Sequence, residues 1–217
     1  MNPFYNAMTF LMKLALLLVA KWQGKSREHV PPRGPIIIVS NHLSMIDPPL
    51  LAASIPHPIV YMAKEELSHH PYLGWAVGAY GAFTVKWERV DRQAMRRALG
   101  MLKQGKVLGP FLEGSRSRKG QMRHAHPGTA LIALQSGAAI LPVGITGSER
   151  IQSLRYVFSS THTTVNIGVP FQLEPAEGRM DTEELTKATE LIMRRIAELL
   201  PPDYQGVYRS PAVARAS

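Results

Sequence analysis

Short apolar runs separated by amphipathic stretches dominate the hydropathy pattern of this chain. The run Ile36–Ser40 is β-branched and lies between turn residues, which is typical of a buried strand. Further strands are predicted over residues 59–62, 82–85, 107–112, 140–145 and 163–169. Apolar residues at helical spacing predict helices over residues 91–104, 128–136 and 181–200. Strands that alternate with helices predict an α/β fold, in which helices flank a sheet.

Polar residues mark the ends of two predicted helices. Asp91 precedes the first of them and is placed to accept hydrogen bonds from its unpaired backbone N–H groups. Asp181 is followed three residues later by Glu184, which is the spacing of a capping box, and Pro201 and Pro202 end the last helix. These capping signals support both helix assignments.

An almost continuous apolar segment, residues 4–22, opens the chain. As a helix it is about 28 Å long, close to the thickness of a bilayer core. Lys13 lies near its middle, where a lysine costs about 3 kcal/mol to insert into a membrane. Asn6, Thr9 and Lys13 share one narrow stripe, which favours a helix lying in the membrane interface over one that crosses it. Basic residues suited to anionic lipid head groups follow the segment: Lys21, Lys25, Arg27 and Arg33.

The same segment has two alternative interpretations. One is a signal peptide, although no clear small-residue cleavage site follows the apolar run and no basic cluster precedes it. The other is a helix docked on the core of the domain itself. Turn residues 31–35 separate the segment from the rest, so we expect a membrane-associating helix over 1–30, a folded domain over 31–209 and a flexible tail over 210–217.

Composition and charge narrow the classes of partner. The chain has 217 residues, enough for one domain with a buried core, and a formal net charge of +9. This charge indicates an anionic partner, either a phospholipid surface or nucleic acid, with a basic soluble protein as the plain alternative. No nucleic-acid-binding motif is recognised, so no nucleic-acid partner is expected. The chain contains no cysteine, which excludes disulfides, thiolate catalysis and cysteine-based zinc sites.

A histidine and an aspartate follow the first predicted strand. His42 lies just beyond the end of Ile36–Ser40, and α/β folds build their sites beyond the carboxyl ends of strands. Asp47 is five residues further on, so a turn is needed to bring its carboxylate to the imidazole ring. The carboxylate would then hold one ring nitrogen while the other takes a proton from a hydroxyl. The alternative is a chance pair, because the chain has 8 histidines and most such pairs carry no general-base function.

A second polar cluster, residues 113–118, directly follows the fourth predicted strand. Arg116 is suited to bind a phosphate with two parallel hydrogen bonds, and Gly114 lets backbone amides approach an anion. Glu113 is suited either to accept a hydrogen bond from a substrate hydroxyl or to hold the arginine. Ser115 lacks the G-x-S-x-G spacing of a nucleophile elbow, which makes it a poor nucleophile. The alternative for this cluster is a solvated basic loop.

Four short motifs, in this order, resemble those of the glycerolipid acyltransferase family. Residues 41–47 (N-H-x4-D) resemble the first motif, 81–85 (GAFTV) the start of the second, 113–117 (EGSRS) the third and 141–143 (LPV) the fourth. The ordered set with similar gaps is more specific than any single motif. The resemblance covers roughly residues 30–170. It implies a glycerol-3-phosphate acyltransferase-like α/β fold around a mixed sheet flanked by helices, with an N-terminal membrane-associating helix.

The resemblance also implies a role for each matched position. His42 is expected to be the general base that acts on the acceptor hydroxyl, with Asp47 as its orienting partner. Glu113 and Arg116 are expected to hold the glycerol-phosphate end of the acceptor, and Pro142 to shape the pocket. The full set of expected substrate-binding residues is Asn41, Ser44, Lys86, Arg89, Glu113, Gly114, Ser115, Arg116 and Pro142.

Three positions depart from the family's motifs. Trp87 stands where the second motif normally ends in arginine, and Lys86 and Arg89 on either side are expected to supply the missing charge. Leu112 replaces the usual proline of the third motif, and Ser115 replaces its threonine. The second motif therefore leaves open which head group the acceptor carries.

The activity implied by the resemblance is transfer of a fatty acyl group from an acyl thioester to the free hydroxyl of a lysophospholipid. The expected acceptor is 1-acylglycerol 3-phosphate, which would give phosphatidic acid for phospholipid biosynthesis, and the donor is acyl-coenzyme A or acyl carrier protein. Neither a metal nor another cofactor is implied. The expected location is the cytoplasmic face of the cell membrane, as a peripheral or monotopic protein on anionic phospholipid. Two alternatives remain: a phospholipid transacylase or hydrolase with the same His42/Asp47 pair, and a non-catalytic membrane lipid-binding protein.

Overall fold

The computed structural model describes residues 10, 13–14, 21–65, 82–85, 91–117, 119–151, 162–174 and 181–209. Several sequence-based expectations fall elsewhere: most of the predicted helix over 4–22, the residues Lys86 and Arg89, and the predicted tail over 210–217 lie outside the described residues. Within the described ranges, no helix has both the length and the apolar content needed to cross a membrane.

Seven strands in the described part of the chain form one sheet. They are β1 (Gln23–Lys25), β2 (Ile36–Ser40), β3 (Ile59–Lys64), β4 (Phe83–Val85), β5 (Val107–Gly109), β6 (Ala139–Thr146) and β7 (Thr164–Ile167). Their order across the sheet is β1-β7-β6-β2-β5-β3-β4. All neighbouring pairs are parallel except β6 and β7, which are antiparallel. The sheet is therefore mixed, which confirms this part of the expected fold class.

The central strand, β2, is buried on both faces of the sheet. All of its residues are buried, and β5 and β6 flank it. Ile37 and Val39 belong to one core cluster, whereas Ile36 and Ile38 belong to the other. A strand covered on both faces is a continuous apolar run rather than an alternating pattern. This explains why the sequence predicted the bounds of β2 correctly.

Four α-helices in the described ranges cover the two faces of the sheet. They are α1 (Asp47–Ser54), α2 (Arg92–Lys103), α3 (Gly128–Ser136) and α4 (Thr182–Ala197). The buried residues of α2, α3 and α4 join the core cluster that contains Ile37, while those of α1 join the cluster that contains Ile36. The domain therefore has three layers, with α1 alone among these helices on its face of the sheet.

The predicted helix caps are present in the structure. The Asp91 side chain accepts hydrogen bonds from the backbone N–H groups of Gln93 and Ala94, at 3.1 and 2.9 Å. Asp181 and Glu184 form a reciprocal capping box at the start of α4. Each cap satisfies backbone donors that have no partner within the helix, which stabilises a helix by typically about 1 kcal/mol.

Two elements were not predicted from the sequence. β1 pairs in parallel with β7, with Gln23 opposite Thr164, and it lies within the segment that the sequence assigned to the N-terminal helix. Its exposed edge position explains why it carries no apolar signal. α1 begins at Asp47, with Pro48 in its first turn, where only a turn was predicted. Proline is tolerated there because the first N–H groups of a helix have no helical partner.

The predicted strand over 107–112 was too long at its carboxyl end, because β5 stops at Gly109. A side chain at Gly109 would collide with the neighbouring strand, since a Cβ there would lie 2.6 Å from Cγ2 of Ile59. After Gly109 the chain leaves the sheet, so residues 110–117 are free to turn towards the end of β2. The β7 strand is also shorter than predicted and covers Thr164–Ile167.

Candidate active site

The side chain of Asn41 continues the sheet beyond the last residue of β2. Its amide nitrogen donates to the carbonyl of Ile145 at 2.9 Å, and its amide oxygen accepts from the backbone N–H of Ile145 at 2.8 Å. Asn41 is fully buried. The structure therefore places this predicted substrate-binding residue inside the sheet, where it ties the end of β2 to β6 and determines where the next residue, His42, leaves the strand.

His42 and Asp47 are in direct contact. The ring nitrogen Nδ1 of His42 lies 2.9 Å from Oδ2 of Asp47, and the backbone N–H groups of Leu43 and Ser44 donate to the same oxygen at 2.6 and 2.7 Å. The side chain of Asp47 is completely buried. A turn closed by the bond from Asp47 N to the carbonyl of Ser44 brings the two together, as the sequence predicted.

One face of the His42 ring is covered by Phe111. The two rings are stacked, with centroids 4.0 Å apart and planes 20° apart, and Tyr61 lies behind Phe111. The hydroxyl of Tyr61 donates to the carbonyl of Pro48, at the start of α1, at 2.6 Å. The acceptor at Nδ1 assigns the ring proton to that nitrogen, so Nε2 carries the lone pair of the neutral ring. Nε2 has no hydrogen-bond partner among the described residues, and the side chain is 15% exposed.

Glu113 joins the loop after β5 to the backbone of His42. Its Oε1 accepts from His42 N at 3.2 Å, and its Oε2 accepts from Arg123 N at 3.1 Å. Burial raises the pKa of Glu113 to about 7, although the two N–H donors and the Arg123 charge oppose this shift and the nearby Asp47 charge adds to it. Ser117 N donates to the carbonyl of His42 at 2.7 Å. The loop is therefore bonded to both backbone polar groups of His42.

The rest of this loop is open to solvent. Gly114 has a φ of 66°, a left-handed conformation that favours glycine, while Ser115 and Arg116 are exposed. The Ser115 hydroxyl accepts a hydrogen bond from Nη1 of Arg123 at 2.7 Å. Sequence reasoning missed Arg123, which belongs to no motif and no periodic segment. The charge run it belongs to, residues 116–123, was the only signal available in the sequence.

Pro142 lies apart from these residues. It is buried within β6, and its carbonyl accepts from Gly168 N at 2.9 Å. Between the Val143–Ile167 pair and the Ile140–Phe171 bridge, residues 141–142 of β6 face residues 168–170, which have one residue more. This is a β-bulge, a place where a sheet tolerates proline. Pro142 is not among the hydrogen-bond or ring partners of His42.

The predicted substrate-binding residues that the structure describes thus divide into three groups. Ser44 and Glu113 lie beside the His42–Asp47 pair, whereas Asn41 and Pro142 are parts of the sheet. The third group is the loop with the partly buried Gly114 and the exposed Ser115 and Arg116. Lys86 and Arg89 lie outside the described residues. The geometry provides an oriented base next to a basic loop, which suits removal of a proton from a hydroxyl on an anionic molecule.

Comparisons with known proteins agree on one kind of chemistry. Residues 22–146, more than half of the chain, match the family model described as Acyltransferase. A 1-acyl-sn-glycerol-3-phosphate acyltransferase of Borreliella burgdorferi is 26% identical over 161 residues, which cover 70% of this chain and 64% of the relative. The enzyme of the same name from Bacillus subtilis is 26% identical over 189 residues, which cover 87% of this chain and 92% of the relative.

A solved structure shares the fold. The crystal structure of the 1-acyl-sn-glycerophosphate (LPA) acyltransferase PlsC from Thermotoga maritima matches with a TM-score of 0.69 and 28% sequence identity. The match covers 90% of this chain and 79% of that one. The chain spans just under two thirds of the Borreliella relative and nearly all of the Bacillus relative.

Proposed function

Since the chain belongs to the acyltransferase family, we propose that it transfers a fatty acyl group from an acyl thioester to the free hydroxyl of 1-acylglycerol 3-phosphate, giving phosphatidic acid. The observation that carries this proposal is the contact between Nδ1 of His42 and the buried carboxylate of Asp47, which leaves Nε2 without a partner among the described residues. The names of the matched relatives supply the acceptor, lysophosphatidic acid.

The proposed reaction is a direct attack of the acceptor on the donor. His42 Nε2 removes the proton of the acceptor hydroxyl while the hydroxyl oxygen forms a bond to the carbonyl carbon of the thioester. The carbon–sulfur bond of the resulting tetrahedral intermediate then breaks, and the thiol leaves with the proton that His42 returns. No acyl-enzyme forms in this scheme, which is compatible with a chain that contains no cysteine and whose Ser115 lacks the spacing of a nucleophile elbow. The scheme uses no metal ion or other cofactor.

Asp47 acts through His42 in this mechanism. Its carboxylate accepts the Nδ1 proton, which keeps the lone pair on Nε2, and its charge stabilises the imidazolium that forms during proton transfer. Three N–H donors on one oxygen hold the carboxylate in place. A general base of this kind contributes about 10²–10⁴-fold in rate.

The loop after β5 is proposed to bind the glycerol-phosphate end of the acceptor. The guanidinium of Arg116 is exposed and presents a planar fork suited to a phosphate, and Gly114 lets the backbone of the loop approach it. Lys86 and Arg89 are proposed to add positive charge near the same group. Ser44 belongs to the same site, whereas Asn41 and Pro142 are proposed to act by shaping the sheet beneath the pocket.

The donor is proposed to be acyl-coenzyme A or acyl carrier protein, and the site to face a membrane. β1 runs antiparallel to β2, because β7 pairs in parallel with β1 and in antiparallel with β6. Gln23, the first residue of β1, therefore lies at the end of the sheet where β2 ends and His42 follows it. Four basic residues on either side of this position are exposed: Lys21, Lys25, Arg27 and Arg33. An amphipathic N-terminal helix and these cations are proposed to hold the domain (residues 31–209) on the anionic, cytoplasmic face of the cell membrane.

The proposal is tested by measuring acyl transfer to lysophosphatidic acid in detergent micelles, with each thioester donor in turn. Wild type is expected to form phosphatidic acid, and His42→Ala to lose at least about a hundredfold in kcat. His57→Ala is the matched control, because His57 precedes β3 at the opposite end of the strands from His42. Its ring bonds to the Pro31 carbonyl and to no other described residue. Thermal unfolding of both variants checks that they fold.

Other outcomes would favour the alternatives. Acyl release to water, or acyl transfer from a phospholipid without any thioester, would indicate a hydrolase or transacylase. Equal activity of wild type and His42→Ala would refute the general-base mechanism. Lipid binding with no turnover on either donor would leave a non-catalytic lipid-binding protein as the better description.

A further inference from the structure

The backbone on both sides of Arg123 is anchored to the C-terminal turns of the chain. Met122 is buried; its N–H donates to the carbonyl of Tyr204 at 2.9 Å, and its carbonyl accepts from Val207 N at 3.4 Å. Two residues after Arg123, the N–H of Ala125 donates to the hydroxyl of Tyr208 at 3.3 Å. Two short 3-10 turns near the C-terminus, 202–204 and 206–208, thus fix the backbone of residues 122–125.

The N–H of Arg123 itself is bonded to the carboxylate that also binds His42. Glu113 accepts from His42 N with one oxygen and from Arg123 N with the other, at 3.2 and 3.1 Å. A single buried carboxylate therefore sets the spacing between the backbone of the proposed base and the backbone of Arg123. An exposed arginine whose backbone is fixed in this way loses less conformational freedom on binding a ligand than one on a mobile loop.

Among the residues that the structure describes, the guanidinium of Arg123 has one hydrogen-bond partner. Nη1 donates to the Ser115 hydroxyl at 2.7 Å, which orients the group towards the exposed loop. A hydroxyl is neutral, so this bond does not neutralise the guanidinium, whose charge acts on the nearby Glu113 carboxyl without a direct ion pair. No carboxylate in the described part of the chain forms an ion pair with this guanidinium. Arg116, also exposed, follows Ser115 directly.

We propose that Arg123 binds the phosphate of the acceptor together with Arg116, and so determines that the enzyme prefers a phosphate-bearing lysolipid over a neutral one. This inference rests on the proposed function. A phosphate dianion accepts several hydrogen bonds, and two guanidinium groups provide a matching set of planar donors. The Arg123 backbone and the His42 backbone share Glu113, so one carboxylate holds both the proposed phosphate site and the proposed base.

The competing explanation is that Arg123 only braces the loop through Ser115. The two roles differ in their effect on substrates. A brace supports every acceptor, so its loss changes turnover of charged and neutral acceptors equally. A residue that binds the phosphate matters only to the charged acceptor, and its removal raises KM rather than lowering kcat.

The test compares the steady-state kinetics of Arg123→Ala and Arg123→Lys with those of a control, Arg96→Ala. Arg96 is also an exposed arginine, but it lies on α2. With lysophosphatidic acid, Arg123→Ala is expected to raise KM at least about tenfold with little change in kcat. Arg123→Lys is expected to fall between it and wild type, because an ammonium keeps the charge without the fork. With monoacylglycerol, which lacks the phosphate, all variants are expected to match wild type. Equal losses on both acceptors, or no change in KM, would overturn the proposal.

A binding measurement separates this inference from the proposed function. Glycerol 3-phosphate is titrated calorimetrically into wild type, Arg123→Ala and Arg96→Ala, without any thioester. Weaker binding by Arg123→Ala alone supports the phosphate site even if wild type transfers no acyl group to lysophosphatidic acid. Equal binding by all three proteins refutes it even if wild type is an active acyltransferase.

Discussion

Replacing Asp47 with asparagine separates the orienting role of the carboxylate from the role of its charge. Oδ2 accepts three hydrogen bonds, from Nδ1 of His42 and from the N–H groups of Leu43 and Ser44. Oδ1 is buried and has no hydrogen-bond partner among the described residues. An asparagine with its carbonyl at the Oδ2 position keeps all three bonds. The reversed amide loses both backbone bonds and keeps a bond to His42 only if the ring adopts the other tautomer. The first orientation is therefore expected, and His42 is expected to keep its tautomer.

The expected loss follows from the missing charge alone. Two unit charges about 4 Å apart attract each other by about 4 kcal/mol at an effective dielectric constant of 20. If the imidazole is between half and fully charged in the transition state, the loss is about 2–4 kcal/mol, or about 30- to 1,000-fold in kcat. Asp47→Ala removes the charge, frees the ring and leaves two buried N–H groups unpaired, each costing about 1–3 kcal/mol. It should therefore lose more activity than Asp47→Asn and unfold more easily.

The assay is steady-state acyl transfer to lysophosphatidic acid by wild type, Asp47→Asn and Asp47→Ala, with urea unfolding of each protein. The expected order of kcat is wild type, then asparagine, then alanine, and the free energy of unfolding should follow the same order. If Asp47→Asn were as inactive as Asp47→Ala, the amide must have turned its NH₂ to His42 and imposed the wrong tautomer. That result would refute the argument from the unpartnered Oδ1.

Three further perturbations test other contacts around the site. Asn41→Ala should lower the free energy of unfolding by about 3 kcal/mol in urea titrations, because both backbone groups of Ile145 lose their partner. Burial raises the pKa of Glu113 from 4.5 to about 7, so the folded state binds more protons than the unfolded state between these values. Stability should therefore fall by at most about 3 kcal/mol as the pH rises through this window and stay level above it, and Glu113→Gln should remove this trend in unfolding measured at several pH values. Tyr208→Phe should remove the acceptor of Ala125 N, cost about 1 kcal/mol of stability and raise KM for the acceptor without lowering kcat, which kinetics and thermal unfolding measure together.

The sequence pattern was enough to predict the strands, helices and turns that are determined by residues close to one another along the chain. The strand Ile36–Ser40 and the helix Gly128–Ser136 have the predicted bounds, because burial on two faces makes the first an apolar run and the second is followed by Gly137, which ends it in a left-handed conformation. The turn that joins His42 to Asp47 was also predictable, since only five residues separate them.

Contacts between distant residues were beyond the sequence pattern. Asn41 bonds to Ile145, 104 positions away, and nothing in either neighbourhood marks the pair. The strand Gln23–Lys25 is too short and too exposed to show an apolar pattern, and it forms only because an edge of the sheet is available beside β7. Arg123 is distinguished from other surface cations only by the residues that fix its backbone.

The backbone of His42 explains why the first and third sequence motifs occur together. Glu113 accepts a hydrogen bond from the N–H of His42, and Ser117 donates one to its carbonyl, so the third motif holds the first in place. None of these bonds uses Nε2, which leaves it available to substrate. Glu113 therefore has a structural reason to be present even without touching the acceptor. Kinetics of Glu113→Gln decide between the two roles: a loss confined to kcat indicates that Glu113 positions His42, whereas a rise confined to KM for lysophosphatidic acid indicates that it binds the acceptor.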